Sequence, residues 1–446
     1  MQKDQQDLAL PGADAAAAAL YSDALRAFNI YRGDPLALLD AALEAAPDFH
    51  MARIAKAHLY AVSTSPDAMA QAKAIIEDLK GRKLDERAAS HVRGLDTLFT
   101  TGWHAAATAF DAHNVRWPRD LLALQSAHLM DFLRGNARNL RDRIARVLPQ
   151  WAAGTPGFAT LLGLHAFGLE ECGDYTLAEQ SGRRAVELEP LDSWAQHAVA
   201  HVLEMQNRAQ EGVMWMSANE ANWSGDDNFF KVHNWWHLAL FHLELGHKDQ
   251  ALSIYDRAVR GDRSTLALDL VDASAMLWRF ELTGLDVGER WTEVATCWLP
   301  HADGRTYTFN DWHATMAYLG ADRTRDMDRL LSALRETAAG SGEMAEWTRK
   351  AALPLVEGFV AFRRADYRKA VELLHPARYV ARIFGGSDAQ RDIIDLTLME
   401  AALRDGQEAL AESLSYERLA LKPRSLMNHG FLARSRQSAA PTRQAA

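Results

Sequence analysis

The sequence predicts an all-α protein, and composition, breaks between segments and repetition each lead to this class. Ala, Leu, Glu and Arg, which favour helices, are abundant in the 446 residues, whereas Gly (27) and Pro (13) are scarce. Short breaks such as Gly33-Asp34-Pro35 separate stretches of about 12 to 18 residues with helical spacing. A degenerate period of about 34 residues also returns along the chain. We therefore expect an α-solenoid of tetratricopeptide-like helix hairpins, curled around a central groove or pocket.

The chain divides into a tail, one repeat domain and a second tail. Residues 1–13 are predicted to be flexible, and Asp14 is suited to cap the first helix. Residues 14–423 form a single predicted tetratricopeptide-like domain. Residues 424–446 are predicted to be a C-terminal tail that docks in part and then frays.

The clearest repeat lies at residues 161–190. Its Gly173, Tyr175, Ala178, Ala185 and Pro190 stand at the offsets of a tetratricopeptide repeat, in which small residues let paired helices approach and proline ends the second helix. Weaker copies follow at 193–212, 232–260, 358–377 and 406–423. The repetition predicts helix hairpins stacked side by side.

Residues 266–320 depart from this rhythm. They contain three helical stretches and a polar loop at 301–306. An irregular segment inside a repeat array often marks a functional region or a change in packing.

The stretch from Trp194 to Gly246 concentrates the chain's His and Trp residues. The sequence has 17 His and 13 Trp, each about twice what average composition gives. In a tetratricopeptide array, the second, fifth and ninth positions of each first helix line the concave groove. In the repeat that starts at residue 193 these positions are Trp194, His197 and His201, and Glu204 lies one turn beyond them. In the repeat that starts at residue 232 they are His233, Trp236 and Leu240. The imidazoles are predicted to face the hollow, whereas Trp235 is interpreted as packing.

Histidines four residues apart on a helix project from one face, so His197 with His201, and His233 with His237, predict a metal site. Glu204 is a candidate third ligand or general base. Nitrogen and carboxylate ligands suit Zn²⁺ best, and this ion lowers the pKa of a bound water toward about 7. The competing interpretation is a polar solenoid interior in which the imidazoles bind neighbouring carbonyl and carboxylate groups.

Two further segments open helices and carry candidate site residues. Asp311 is either an N-cap or a catalytic carboxylate, and His313 is a candidate base in the first turn, where the helix dipole favours a neutral imidazole. Ser387 with Gln390 fits a capping box, and the alternative is an anion site completed by Arg391. Asp111 and His113 are interpreted as a helix end.

Composition and motifs exclude several functions. A net charge of −10 without basic runs argues against nucleic acid. Cys172 and Cys297 form no metal or disulfide motif, and neither a signal peptide nor a membrane-spanning segment is recognised, so we expect a cytoplasmic protein without a membrane partner. No P-loop, dinucleotide-binding fingerprint or serine-hydrolase elbow is present. A homo-oligomer is compatible with the sequence.

One family resemblance covers nearly the whole chain. The segments HAVAHVLEMQNRAQEG, HNWWHLALFHLELG, DLVDASAMLWRFELTG, VGERW, FNDWH and GGSDAQRD, in that order, resemble the tetratricopeptide repeat protein 38 family. The resemblance implies the repeat fold and carries over no activity.

Two functions follow from these residues. The first is a small-molecule enzyme, such as a metal-dependent hydrolase, acting on an anionic or aromatic substrate. Glu204, His233, Asp311 and His313 are its candidate catalytic residues, and His197, His201 and His237 its metal ligands. Trp194, Trp236, Asn234, Ser387 and Arg391 are its candidate substrate contacts. The alternative is a non-catalytic scaffold that binds a peptide or protein partner in the groove.

Overall fold

The computed structural model describes residues 1–438 and is all-α apart from one small N-terminal sheet. Strands β1 (Gln2–Lys3) and β2 (Ala9–Leu10) pair antiparallel, with Gln2 opposite Leu10. The first thirteen helices are α1 Ala15–Ile30, α2 Pro35–Ala45, α3 His50–Val62, α4 Pro66–Lys80, α5 Glu86–Thr100, α6 Trp103–Arg116, α7 Leu121–Leu133, α8 Ala137–Val147, α9 Phe158–Glu170, α10 Tyr175–Leu188, α11 Ser193–Met205, α12 Ala209–Ala218 and α13 Glu220–Trp223.

Twelve further helices follow in the rest of the described chain. They are α14 Lys231–Glu244, α15 Lys248–Ile254, α16 Ala267–Leu282, α17 Arg290–Cys297, α18 Thr308–Gly320, α19 Thr324–Ala339, α20 Glu343–Trp347, α21 Leu353–Arg363, α22 Tyr367–Ala377, α23 Asp388–Arg404, α24 Glu408–Leu421 and α25 Leu426–Ser438. Single π-helical turns, Tyr255–Val259 and Thr348–Ala352, follow α15 and precede α21.

Consecutive helices pack as antiparallel hairpins, which confirms the predicted helical solenoid. In the clearest repeat, α9 and α10 are joined by a turn in which Gly173 adopts φ +81°, a conformation that glycine tolerates best. Gly168 lets α9 approach α8 closely, because a Cβ at this position would lie 2.4 Å from the backbone nitrogen of Arg141. Asp14 caps α1 as predicted, its carboxylate accepting a hydrogen bond from the Ala17 N–H at 2.8 Å.

Contacts between distant parts of the chain close the array on itself. The Asn310 side chain donates to the Thr64 hydroxyl at 3.1 Å, and the Tyr307 hydroxyl donates to the Leu133 carbonyl at 3.0 Å. Further along, the Asp388 N–H donates to the Glu171 carboxylate at 3.1 Å. Helices from the first and second halves of the chain therefore face each other across the interior.

Both predicted tails are partly structured. Residues 1–13, predicted to be flexible, form the β1–β2 hairpin and bury Leu10, while Asp4 pairs with Arg87 on α5. The hairpin is held because it buries an apolar side chain and satisfies a buried guanidinium. Within the predicted C-terminal tail, α25 packs on α24, and residues 439–446 lie outside the described part of the chain.

Candidate functional site

Four imidazoles converge between the first helices of two neighbouring repeats. His197 and His201 lie one turn apart on α11, and His233 and His237 lie one turn apart on α14, which packs against it. One ring nitrogen from each residue lies within 4.8 Å of the other three. We call this group the four-histidine cluster. It brings together every residue that the sequence proposed as a metal ligand, together with His233, proposed as catalytic.

The sequence around the cluster fixes the two helices. The Asp192 carboxylate caps α11 by accepting from the Ala195 N–H at 3.0 Å, one turn before His197. Phe230 precedes α14 and packs its ring against Trp194 and His197. The starts of α11 and α14 are therefore both held in place by contacts immediately next to the cluster.

The rings lie at distances compatible with sharing one ion. The Nε2 atoms of His197 and His233 are 3.1 Å apart. Ring centroids are separated by 4.3 Å between His197 and His201 and by 4.5 Å between His201 and His237. Two nitrogens bound to one tetrahedral Zn²⁺ at about 2.0–2.1 Å would lie about 3.4 Å apart.

Carboxylates lie behind three of the four rings; those of Asp272 and Glu170 are buried, and that of Glu204 is partly buried. The His233 Nδ1–H donates to Asp272 on α16 at 2.8 Å, and the His237 Nδ1–H donates to Glu204 at 3.1 Å. Glu170, at the end of α9, lies 3.6 Å from the Nδ1 of His201. In His233 and His237 the proton is thereby held on Nδ1, and Nε2 keeps its lone pair.

Burial sets the protonation of the cluster. All four imidazoles are at most 5% exposed, and burial, with the neighbouring histidines, lowers the pKa of His197, His201 and His237 well below the usual range. These rings are neutral at physiological pH, the form in which imidazole binds metals.

The hollow predicted at these positions is filled by the protein's own side chains. Trp194 stacks on Tyr31 with ring centroids 5.6 Å apart, and Trp236 stacks on His233 at 5.3 Å. Helix α16 packs against α14, while α23 contacts both α11 and α16. The positions predicted to line the groove are therefore buried in a packed interior, because the irregular segment and the C-terminal repeats cover them.

Asn234, a proposed substrate contact, is fully buried, and its amide lies 3.5 Å from the Ser193 carbonyl. It therefore joins α14 to the start of α11. Trp235 packs edge-on against Trp223 at 4.8 Å, as the packing interpretation expected.

Asp311 and His313 take part in a different set of contacts. Asp311 is not the N-cap of α18, because Tyr307 holds that position; its carboxylate lies within the first turn and accepts from the Gly304 N–H at 3.0 Å. The His313 Nδ1–H donates to the Phe309 carbonyl at 2.9 Å, and burial lowers its pKa to about 3. Within residues 1–438, their hydrogen bonds and ring contacts do not reach the four-histidine cluster.

Ser387 and Gln390 form the predicted capping box at the start of α23. The Arg391 guanidinium donates to the carbonyls of Gly385 and Gly386 and to Asp388, and lies 3.7 Å from Glu171. Glu171 is next to Glu170 in the chain, and Glu170 lies against His201 of the four-histidine cluster. Arg391 is therefore linked to the cluster through these two acidic residues rather than directly.

Glu170 and Glu171 are buried side by side at the C-terminal end of α9. Both oxygens of Glu170 lack a hydrogen-bond partner among the described residues. Burial raises the pKa of Glu171 to about 7 and raises that of Glu170 well above its usual range, with the neighbouring carboxylates adding to both shifts.

The residues that sequence reasoning missed lie outside the helices that carry the histidines. Asp272 and Glu170 come from α16 and α9, and no spacing rule connects them to a pair of histidines four residues apart.

A second buried network was also missed: His58 donates to His91, whose other nitrogen donates to Asp120 at 2.9 Å. Its members are 29 to 62 residues apart in the chain, so only the packing of α3, α5 and the start of α7 brings them together.

A buried histidine beside the cluster makes stability depend on pH. The His128 Nε2–H donates to the Leu164 carbonyl at 2.9 Å, and burial lowers the pKa of His128 to about 3. The unfolded chain binds this proton near pH 6.5, so stability falls as pH drops from about 6.5 to about 3. Relative to His128→Gln, the wild-type unfolding free energy should fall by about 1.4 kcal/mol per pH unit in this range.

Urea unfolding of both proteins at pH 7.5, 6 and 5 measures this difference. His247→Gln, at an exposed position, is the control and should show no such trend. A wild-type advantage over His128→Gln that stays constant with pH would contradict the assignment.

No family model matches the chain. Among solved structures, it is similar to a chain in the crystal structure of the APC/C hetero-tetramer Cut9-Hcn1. The identity is 16%, the match covers 94% of this chain and 76% of that chain, and the TM-score is 0.42. A likeness at this level says nothing about activity. Within residues 1–438, none of the helices combines enough length with enough hydropathy to cross a bilayer.

Proposed function

We propose that this protein is a non-catalytic helical-repeat scaffold whose interior holds a transition-metal ion at the four-histidine cluster. The observation that carries the proposal is the arrangement of His233 and His237. Each donates its Nδ1 proton to a carboxylate, His233 to the buried Asp272 and His237 to the partly buried Glu204, so each directs an Nε2 lone pair toward the other imidazoles. Metal-binding histidines are usually held by a carboxylate in this way.

Unpartnered nitrogens support the same conclusion. The Nε2 atoms of His201 and His237 and the Nδ1 of His197 are buried without a hydrogen-bond partner among the described residues. A histidine core stabilised by hydrogen bonds alone would leave several of these polar atoms unsatisfied, at a cost of about 1–3 kcal/mol each. A shared ion satisfies the nitrogens that face the centre of the cluster.

The ligand set favours particular ions. Neutral imidazoles suit Zn²⁺, and also the Cu, Fe and Ni ions, whereas oxygen-preferring Mg²⁺ and Ca²⁺ are disfavoured. We propose Zn²⁺ as the resident ion. Membership of the tetratricopeptide repeat protein 38 family remains part of this proposal.

A scaffold is favoured over a hydrolase because the ligands complete the coordination and water has little access. Four imidazoles fill a tetrahedral ion, whereas catalytic zinc keeps one position open. The cavity that Glu204 lines has a volume of about 40 Å³, enough for a few water molecules and far below the roughly 300 Å³ of a small-molecule site. Any peptide or protein partner would bind outside this part of the inner face, which α16 and α23 occupy.

Metal analysis of the protein purified without chelator tests the proposal. We expect at least one equivalent of zinc, and one equivalent fewer in His233→Ala/His237→Ala. The matched control is His242→Ala/His247→Ala, which removes an adjacent histidine pair that is not part of the cluster and should leave the zinc content unchanged. A wild-type protein free of metal, both as purified and after incubation with Zn²⁺, would overturn the proposal.

Asp272→Asn supplies a finer test, since it keeps the shape of the side chain and removes its charge. We expect zinc affinity to fall about 10- to 100-fold, measured by competition with a chromophoric chelator. Unchanged affinity would mean that Asp272 does not support a metal ligand.

A further inference from the structure

We propose that Glu170, Glu171 and His201 form a second cation site, next to the four-histidine cluster, in which His201 bridges two divalent transition-metal ions. One ligand atom from each of the three residues lies within 4.8 Å of the other two. This inference rests on the proposed function only for the first of the two ions. The second site has its own ligands and its own test.

Glu170 is the strongest sign of a missing partner. Its side chain is 1% exposed, and neither carboxylate oxygen accepts a hydrogen bond from a described residue. A buried, unpaired carboxylate is costly unless a proton or a cation compensates its charge. The second partner, His201, is fully buried, and both of its ring nitrogens also lack a hydrogen bond.

The distance between these two groups fits ligands of one ion better than a hydrogen bond. The Glu170 oxygen and the His201 Nδ1 are 3.6 Å apart, beyond the roughly 2.7–3.2 Å of an N–H···O bond. Two ligand atoms bound at about 2.0–2.2 Å with an angle between about 109° and 120° would lie about 3.3–3.8 Å apart.

Local charge also favours a cation. Glu170, Glu171 and Asp388 form an acidic group whose basic partners are Arg391 and the half-exposed Arg382. Both glutamates stand at the C-terminal end of α9, where the helix dipole adds negative potential. Three carboxylates and the C-terminus of α9 therefore face two guanidinium groups and the N-terminus of α23, and a divalent ion would offset the remaining negative charge.

His201 connects this second site to the first. Its Nδ1 faces Glu170, and the ring packs against His197 and His237 at centroid distances of 4.3 and 4.5 Å. When both ring nitrogens bind a metal, the imidazole gives up its single N–H proton to solvent. Two carboxylates and one imidazole suit Zn²⁺ or Mn²⁺.

Zinc titration of the chelator-stripped protein tests the proposal. We expect two equivalents in the wild type, one in Glu170→Gln, which keeps the side chain's shape, and one in His233→Ala/His237→Ala. Glu179→Gln on the neighbouring helix α10 is the matched control, because Glu179 already pairs with Arg208, and it should bind two. Circular dichroism and melting curves establish that each variant is folded.

The outcomes separate the two proposals. A single equivalent that survives Glu170→Gln and disappears in His233→Ala/His237→Ala keeps the first site and overturns the second, leaving a proton as the compensating charge on Glu170. A single equivalent lost in Glu170→Gln and kept in the histidine variant supports the second site alone. No bound zinc overturns both. With two equivalents present, His201→Ala should weaken both sites, and a loss confined to one site overturns the bridge.

Discussion

Removing the metal from the zinc-loaded protein is expected to lower its free energy of unfolding by about 4 kcal/mol, if free zinc had been about 1,000-fold above the dissociation constant. The ligands come from α11 and α14, and their supporting carboxylate Asp272 comes from α16. An unfolded chain does not hold these groups together, so the ion stabilises the native state almost exclusively. Urea unfolding with and without a strong chelator measures the effect.

The histidine variant provides the control for this experiment. His233→Ala/His237→Ala should be less stable than the wild type and should lose less stability when the chelator is added, because it keeps only the ion of the second proposed site. Equal losses in the two proteins would show that the chelator acts elsewhere. No loss in the wild type would contradict metal stabilisation of the fold.

Replacing Arg143 by Met is expected to destabilise the protein by about 3–5 kcal/mol. Arg143 is fully buried on α8; its Nε–H donates to Asp131 at 2.7 Å and its Nη1–H to the Asn114 amide oxygen at 2.9 Å. The substitution keeps the aliphatic volume and removes the charge that balances one oxygen of a buried carboxylate. Arg134 and Asn139 also bind Asp131, which places the expected loss at the lower end of this range.

Chemical denaturation of Arg143→Met beside Arg138→Met measures this difference. Arg138 lies on the same helix and pairs with Asp142, but its side chain is 85% exposed, so its removal should cost less than about 1 kcal/mol. Similar losses for the two variants would mean that the buried pair contributes little.

The sequence predicted the parts of the fold that are encoded locally. Helical periodicity located the hairpins, and cap chemistry identified Asp14 and the Ser387–Gln390 box. The two HxxxH pairs were placed on neighbouring helices because repeat spacing fixes the register between adjacent units. Each of these features depends on residues within about one repeat of each other.

The remaining features depend on contacts between distant segments. The closed interior exists because α23 and α16 lie over the histidines, and no local pattern shows that an array curls this far. Asp272 is 39 residues from His233 along the sequence, and Glu170 is 31 residues from His201. Of the two interpretations of Asp311, the N-cap is wrong, because the helix begins three residues earlier, at Thr308.

The contacts that close the array limit how this protein can change in length. In an open solenoid each unit touches only its neighbours, so units are gained or lost with little effect on distant ones. Here the hydrogen bonds from Asn310 to Thr64 and from Asp388 to Glu171 join units that are far apart in the chain. Adding or deleting one hairpin between the two partners of such a contact would displace one partner relative to the other by a full unit. The number of repeats is therefore fixed by geometry, as it is in a ring.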